Sequence, residues 1–155
     1  MKLSDLYEMC VNIRDESDAE SVDEKVYEVL RENVRIKYVK ADEKLAIVRA
    51  VIEGCIKKIG AYEHVDWGLQ KITFGIAVVG KLTDVELDAG NDDGTNYAVN
   101  YDMIHHVGLI DYLWKEAEKE MDEISDFLRL ESMTVSDRNS MPAILEKRKT
   151  KEEVK

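Results

Sequence analysis

A long helical repeat of apolar residues lies in the C-terminal half of this 155-residue chain. The apolar positions advance in steps of 4, 4, 3 and 4, so they line one side of an α-helix: Leu113, Ala117, Met121, Ile124 and Leu128. The opposite side is acidic and has few lysines, with carboxylates at Glu116, Glu120, Asp122 and Glu123. The repeat predicts a long amphipathic C-terminal helix that runs to about residue 139 and is ended by Pro142.

Apolar stripes at helical spacing also occur in three upstream segments. Two of them cover residues 3–13 and 22–34, and the clearest covers 41–60, with apolar residues at Leu45, Val48, Ile52, Cys55 and Ile59. In this third segment Asp42 can cap the start and Gly60 can terminate the helix in a left-handed conformation. Lys57 and Lys58 suit the negative end of the helix dipole. We therefore expect a helix over the whole of residues 41–60.

The segment around residues 72–79 fits two patterns. Ile72, Phe74, Ile76 and Val78 alternate as they would in a strand, whereas Leu69, Ile72, Ile76, Val79 and Leu82 follow helical spacing. The stretch is longer than an average strand, and no second strand of similar quality is evident. We interpret it as a helix.

Two segments between the predicted helices carry no helical stripe. Val34 to Val39 alternates apolar and basic residues, which indicates extended backbone, but the sequence offers it no obvious strand partner. Residues 61–70 are interpreted as a connection. A shorter helix begins near Asn100 or Asp102, and Gly108 separates it from the long helix.

The low aromatic share, the high charge and the single proline favour a helical surface over a sheet sandwich. The predicted fold class is all-α, a single-domain bundle of about five to six helices with a long C-terminal helix. We expect residues 1–140 to form the helical domain and residues 141–155 to form a charged, flexible tail.

Net charge and cysteine content narrow the classes of function. A formal charge of −11 repels a phosphate backbone, so we expect no direct nucleic-acid binding. Cys10 and Cys55 are too few for a disulfide framework and occupy apolar helical positions, which indicates reduced core residues.

Asp5 and Glu8 interrupt the N-terminal segment, and the longest apolar run, residues 72–80, is far shorter than the roughly 20 residues of a membrane span. The expected location is therefore cytoplasmic, without export through a signal peptide and without membrane insertion.

Asp88 to Asn96 reads "DAGNDDGTN" and resembles a calcium loop in composition. An EF-hand needs oxygen ligands at positions 1, 3 and 5, glycine at 6 and a carboxylate at 12, and no register of this stretch supplies all of them. Gly, Asn and Asp are also the residues that build ordinary turns. We interpret the stretch as a turn-rich connection, with a noncanonical ion site as the alternative.

Recognisable catalytic and cofactor motifs are missing. His105 and His106 point about 100° apart on a helix, so they cannot grip one metal together. Asp102 and His106 could do so, but a third ligand is lacking, and Asp102 as a helix cap with an interfacial histidine is the simpler interpretation. No nucleophile motif or phosphate loop is present. The sequence thus predicts no catalytic residues, no metal site, no cofactor and no enzyme activity.

Aromatic residues and histidines cluster near the central loop and the start of the long helix, and such residues often anchor protein interfaces. The candidate interface residues are Trp67, Tyr97, Tyr101, His105, His106, Tyr112 and Trp114. Packing in the core is the alternative role for each ring. The acidic face of the long helix also permits a different function, namely a DNA mimic that inhibits a host nucleic-acid-binding enzyme.

Three stretches taken together resemble a known class of proteins: "YVKADEKLAIVRAVIEGCI", "KITFGIAVVGKLTDVELD" and "YDMIHHVGLIDYLWKEAEKEMDEISDFLRL". Their order is similar to that in small acidic helical proteins encoded among the virion and assembly genes of tailed bacteriophages. The resemblance covers about residues 34–130 and carries over no functional residue. It implies a structural protein of the head, connector or tail, or an assembly chaperone. Its partners would be other virion or assembly proteins or further copies of the chain. Its location would be the host cytoplasm during assembly and the virion itself.

Overall fold

Seven helices and one β-hairpin make up the part of the chain that the computed structural model describes, residues 1–16, 20–88 and 95–138. In chain order the elements are α1 (Leu3–Glu16), α2 (Val22–Asn33), α3 (Ala41–Cys55), β1 (Ile56–Ile59), β2 (Tyr62–Val65), α4 (Trp67–Leu82), α5 (Thr95–Val107), α6 (Leu109–Glu116) and α7 (Glu118–Arg138). The mostly helical class is confirmed. The prediction of an all-α fold with five to six helices is corrected to seven helices and a hairpin. The tail at residues 141–155 and most of the "DAGNDDGTN" stretch lie outside the described residues.

The core forms where the apolar stripes of the helices meet. α3 packs on α4 and α7, while α5 packs on α1 and α4. The largest fully buried side chains come from almost every helix, including Leu6, Val48, Leu82, Ile104 and Met121. Both cysteines are free and buried, as the sequence predicts, and burial raises the pKa of each thiol. No helix within the described ranges is long and apolar enough to cross a bilayer.

Residues 72–79, whose sequence fits both a strand pattern and a helical pattern, form part of a helix, which confirms the interpretation made from the sequence. α4 lies centrally and contacts α3, α5 and α6, so it needs apolar residues on most of its sides. Val78 and Val79 are both fully buried although they are adjacent in sequence. This burial explains why the strand-like alternation and the helical stripe coexist in one segment.

The predicted helix over residues 41–60 is five residues too long. α3 ends at Cys55, and Ile56 to Ile59 pairs antiparallel with Tyr62 to Val65 across the turn at Gly60. Lys57 and Lys58 therefore belong to a strand, and the positive φ of Gly60 serves the hairpin turn. The expected connection over 61–70 is likewise wrong, because it contains β2 and the first turn of α4.

The start of α3 also differs from the prediction. Lys40 occupies the N-cap position, and Asp42 lies inside the first turn. The Glu43 carboxylate accepts a hydrogen bond from the Lys40 backbone N–H at 3.2 Å, which satisfies a donor that the helix itself leaves free.

Residues 34–39 are extended, as expected, but they do have a partner. Ile36 forms an antiparallel bridge with Thr83, and the Lys37 backbone N–H donates to the Leu82 carbonyl oxygen at 2.7 Å. The Asp84 N–H donates to the Arg35 carbonyl at 3.1 Å. This pairing leaves no pattern in the sequence because Thr83 and Asp84 lie just past the end of α4, in too short a stretch for a strand pattern.

Gly108 divides the C-terminal helices as predicted, with a left-handed φ of 80° between α5 and α6. Two boundaries nevertheless differ. α5 begins at Thr95, so Asp102 lies within the helix and does not cap it. The long repeat is split at Ala117, whose φ of −132° departs from helical geometry and separates α6 from α7. Both helices keep the predicted apolar stripe buried, and α7 continues to Arg138.

Candidate protein interface

Four of the seven candidate interface residues share one side of the molecule. Tyr101, His105 and Trp114 line a cleft of about 300 Å³ between α4, α5 and α6. Trp67 lines an adjoining cleft of about 160 Å³ between α4 and α7. The two clefts have Lys71 and Phe74 in common, so they form one surface. We call this surface the aromatic face and define it as Trp67, Lys71, Phe74, Tyr101, His105 and Trp114.

Packing against α4 holds the inner part of the aromatic face. The His105 ring stacks on the Tyr101 ring with centroids 6.0 Å apart and planes 14° apart. A Cβ atom on Gly75 would lie only 3.2 Å from the Tyr101 ring. Glycine at this position therefore lets the Tyr101 ring lie directly on the α4 backbone.

A capped helix start holds Trp67 at the outer edge. The Asp66 carboxylate accepts a hydrogen bond from the Leu69 backbone N–H at 3.0 Å and caps α4, of which Trp67 is the first residue. Lys57 on β1 lies 2.8 Å from the same carboxylate. The Lys57 ammonium, and next the Leu69 N–H, lower the pKa of Asp66. The hairpin and the cap thereby fix the place of Trp67, whose surface is 61% exposed.

The aromatic face is tied to α7 by a polar contact beneath it. The Gln70 side-chain amide donates to the Ser132 hydroxyl at 2.9 Å, and that hydroxyl donates to the Leu128 carbonyl at 2.7 Å. Ser132 is buried, so this chain of hydrogen bonds satisfies its hydroxyl without water. These hydrogen bonds join α4 to α7 beside the cleft that Trp67 lines.

The other three candidates lie elsewhere. Tyr112 is buried and packs on Tyr27 with ring centroids 5.5 Å apart. The His106 ring lies 5.3 Å from the Tyr7 ring, against α1. Tyr97 is exposed and lines a separate cleft with Leu69 and Ile72. For Tyr112, packing in the core is the role that the structure supports.

A second aromatic contact joins α2 to α6 and includes residues that the sequence did not single out. The Tyr27 hydroxyl donates to the Glu116 carboxylate, and the Lys115 ammonium lies 5.0 Å from the centre of the Tyr27 ring. The hydrogen bond to Glu116 raises the pKa of Tyr27. Burial raises the pKa of Tyr112. This cluster joins α2 to α6.

The chemistry of the aromatic face suits contact with apolar and aromatic groups. Its polar groups are the Lys71 ammonium, the His105 ring, the Tyr101 hydroxyl and the indole N–H groups of the two tryptophans, with Asp111 at the edge of the larger cleft. No hydrogen bond described for these residues links a base to a nucleophile. Within the described ranges no three His, Cys, Asp or Glu side chains are grouped as a metal site would require. The Asp102 and His106 side chains are both exposed on α5.

Sequence reasoning missed Lys71, Phe74 and Gly75. Phe74 sits in an apolar run that reads as core, and Lys71 is one of many surface lysines, so neither stands out in the sequence. Only the packing of α4 against α5 and α6 brings them next to Tyr101 and Trp114.

Comparison with known proteins adds no homologue to this description. No protein-family model matches the chain, and no curated protein or solved structure is significantly similar to it. The surface is therefore interpreted from its own chemistry.

Proposed function

We propose that this protein is a non-enzymatic structural or assembly component of a tailed bacteriophage particle, and that it binds a partner protein through the aromatic face. The observation that carries the proposal is the convergence of Trp67, Tyr101, His105 and Trp114 on two adjoining clefts. Tryptophan and tyrosine dominate the binding energy of protein interfaces when they sit in clefts that exclude water.

The openness of the clefts favours a protein partner over an enclosed small ligand. Pockets for small molecules usually measure about 300–1,000 Å³ and enclose most of the ligand. The two clefts of the aromatic face measure about 300 and 160 Å³ and are open. Clefts of this size accept single side chains of a partner, as the paired anchors of protein interfaces do.

Placement in a phage particle rests on the resemblance of residues 34–130 to virion and assembly proteins of tailed bacteriophages. The charge is compatible, because a chain of net charge −11 is repelled by packaged DNA and binds its neighbours through protein contacts. The partner would be another head, connector or tail protein, or a protein that the chain escorts during assembly.

Mass spectrometry of purified particles and of assembly intermediates tests the placement. We expect the protein in one or both, and its absence from both would reject the placement. The interface is tested with the partner so identified, by comparing Trp67→Ala with Tyr97→Ala. Both remove an exposed aromatic ring, but only Trp67 belongs to the aromatic face. We expect Trp67→Ala to weaken binding about 30-fold, the loss of a typical hot spot, and Tyr97→Ala to change it less than about threefold.

The second candidate function is a DNA mimic, and the exposed carboxylates of α7 favour it. Asp122 and Asp126 are one helical turn apart and face solvent. This function requires salt-sensitive binding to a nuclease, polymerase or repressor, with DNA as a competitor. Loss of binding on Asp122→Asn and Asp126→Asn, with no loss on Trp67→Ala, would favour the mimic over the structural protein.

A further inference from the structure

A second apolar groove lies between α3 and α4, away from the aromatic face. It measures about 760 Å³ and is open to solvent. Its floor is made of small and aliphatic side chains from both helices: Ala46, Ile47, Ala50, Ile76, Ala77 and Gly80. The cleft beside Gly54 and Thr73 continues the same helix pair toward the hairpin. We call the groove of about 760 Å³ the α3/α4 groove.

The shape of the α3/α4 groove suits a helix. Small residues on two neighbouring helices leave a shallow trough, and the side-chain ridge of another helix packs into such a trough. Ala46 and Ala50 are one turn apart on α3 and exposed, and Ala77 and Gly80 face them from α4.

Two of the three charged residues described at the edge of the α3/α4 groove are lysines, although the chain as a whole is acidic. Lys37 and Lys81 line the groove and form no ion pair with any described residue. Among the described residues that line the groove, Glu43 is the one carboxylate, and it accepts the Lys40 N–H at the start of α3. An occupant that fits must therefore present apolar side chains next to carboxylates.

The chain itself carries such a surface on α7. Leu130 and Met133 are each 52% exposed, on a helix whose opposite side is in the core. Asp126 lies one turn before Leu130, and Asp122 lies one turn before Asp126. Neither aspartate has an ion pair among the described residues. We call Asp122, Asp126, Leu130 and Met133 the α7 ridge.

We propose that the α7 ridge of one copy of this protein packs into the α3/α4 groove of another copy. Leu130 and Met133 would cover the alanine floor, and Asp122 and Asp126 would approach Lys37 and Lys81. Pairing groove with groove would oppose lysines to lysines, and pairing ridge with ridge would oppose aspartates to aspartates, so both like-with-like pairings are electrostatically disfavoured.

We take the contact to be head-to-tail, with one groove–ridge contact between two copies. Each copy then keeps one of its two surfaces, so the pair as a whole has one free groove and one free ridge, whereas a reciprocal two-fold pair would stop at the dimer. Head-to-tail contacts continue from copy to copy and close into a ring or extend as a filament. This self-association goes beyond the proposed function, because it uses a different surface and does not need the phage partner.

Sedimentation velocity of the full chain at about 1 μM to about 1 mM, a range that spans weak to moderate affinity, measures the association. We expect the mass to rise with concentration beyond a dimer, and to rise less at high salt, since the lysine–aspartate pairs are screened. A chain that stays monomeric over the whole range overturns the proposal.

Two substitutions test the groove and the ridge separately. Ala50→Glu blocks the groove and leaves the ridge intact, and Leu130→Glu does the reverse. Each variant alone should associate at least about tenfold more weakly than the unmodified chain, because an unpaired carboxylate would be forced into an apolar contact. An equal mixture should form a dimer and stop there, since one good groove and one good ridge remain.

The mixing result is decisive. If both variants are monomeric alone and the mixture also stays monomeric, or if either variant associates normally, the proposal is wrong and the groove has another occupant. Asn12→Glu, on the exposed side of α1, is the matched control and should leave association unchanged. If Ala50→Glu alters the circular dichroism spectrum, Ala46→Glu replaces it. Trp67→Ala should not change self-association, so failure here is distinguishable from failure of the proposed function.

Discussion

The Lys44 ammonium lies 3.0 Å from the Glu123 carboxylate and joins α3 to α7, with the lysine side chain only 9% exposed and the glutamate side chain 44% exposed. The pair is asymmetric, because Glu123 keeps contact with water and Lys44 does not. Removing Glu123 should therefore change the free energy of unfolding by a different amount than removing Lys44.

We predict that Glu123→Ala lowers the free energy of unfolding by about 1–2 kcal/mol, because it leaves a largely buried ammonium without its partner. Lys44→Met should cost less than about 1 kcal/mol, since methionine fills the same space and Glu123 stays hydrated. Urea denaturation of both variants and of the double variant measures this. Equal losses in the two single variants would show that the asymmetry of burial has no energetic effect.

The Asp66 cap predicts a dependence of stability on acidic pH. Lys57 and the Leu69 N–H lower the pKa of Asp66, so its contribution is present above the unfolded pKa and is lost as pH falls through the lower folded value. Asp66→Asn cannot ionise. We expect its melting temperature to lie below that of the unmodified chain near neutral pH, and the gap to close below about pH 4. A gap that persists in acid would mean that the carboxylate charge is not what stabilises the start of α4.

The hydrogen bond of Tyr27 predicts that the stability of the fold depends on pH in the alkaline range. Its pKa is raised by the hydrogen bond to Glu116, so the contribution is present below the unfolded pKa and is lost as pH rises through the folded value, above about pH 10. Tyr27→Phe should lower the melting temperature near neutral pH, with a difference that narrows at alkaline pH. Tyr38→Phe is the control, because Tyr38 is 79% exposed and should show no difference at either pH.

The left-handed conformation of Gly108 predicts that replacing this glycine destabilises the fold through backbone strain. Its φ is +80°, and an added Cβ would meet nothing within 4 Å. Gly108→Ala should therefore lower the free energy of unfolding by about 1–2 kcal/mol through left-handed strain alone. Gly80→Ala is the matched comparison, since Gly80 lies inside α4 and alanine there should add about 0.5–1 kcal/mol. Similar losses at both positions would point to crowding instead of strain.

A helix could be predicted from the sequence wherever its buried residues lie along one side. α2 and α7 show this, and the buried positions Met121 and Ile124 are those of the repeat. The stripe assigned to α3 is less accurate, because it includes Leu45, which is 37% exposed, and omits Lys44, which is buried. A lysine enters the core only because Glu123, 79 residues away, provides its partner, and no local pattern reports such a pair.

The hairpin and the grouping of the candidate site could not be read from the sequence. Strands of four residues give almost no periodic signal, and "IKKI" continues the apolar stripe of α3. The aromatic residues were recognised individually, but Trp67 and Trp114 are 47 positions apart in sequence and meet one surface only through the packing of α4 on α6. Tyr112, two residues before Trp114, points into the core instead.

Photo-cross-linking from position 67 tests the central claim, that the aromatic face binds a virion or assembly protein. A photoreactive phenylalanine analogue replaces Trp67 in the full chain during infection, and the same analogue at Tyr97 serves as the control. Mass spectrometry then identifies the cross-linked protein. We predict one dominant virion or assembly protein from position 67 and none of it from position 97. Cross-links to a nucleic-acid enzyme alone, identical cross-links from both positions, or no cross-link would contradict the account.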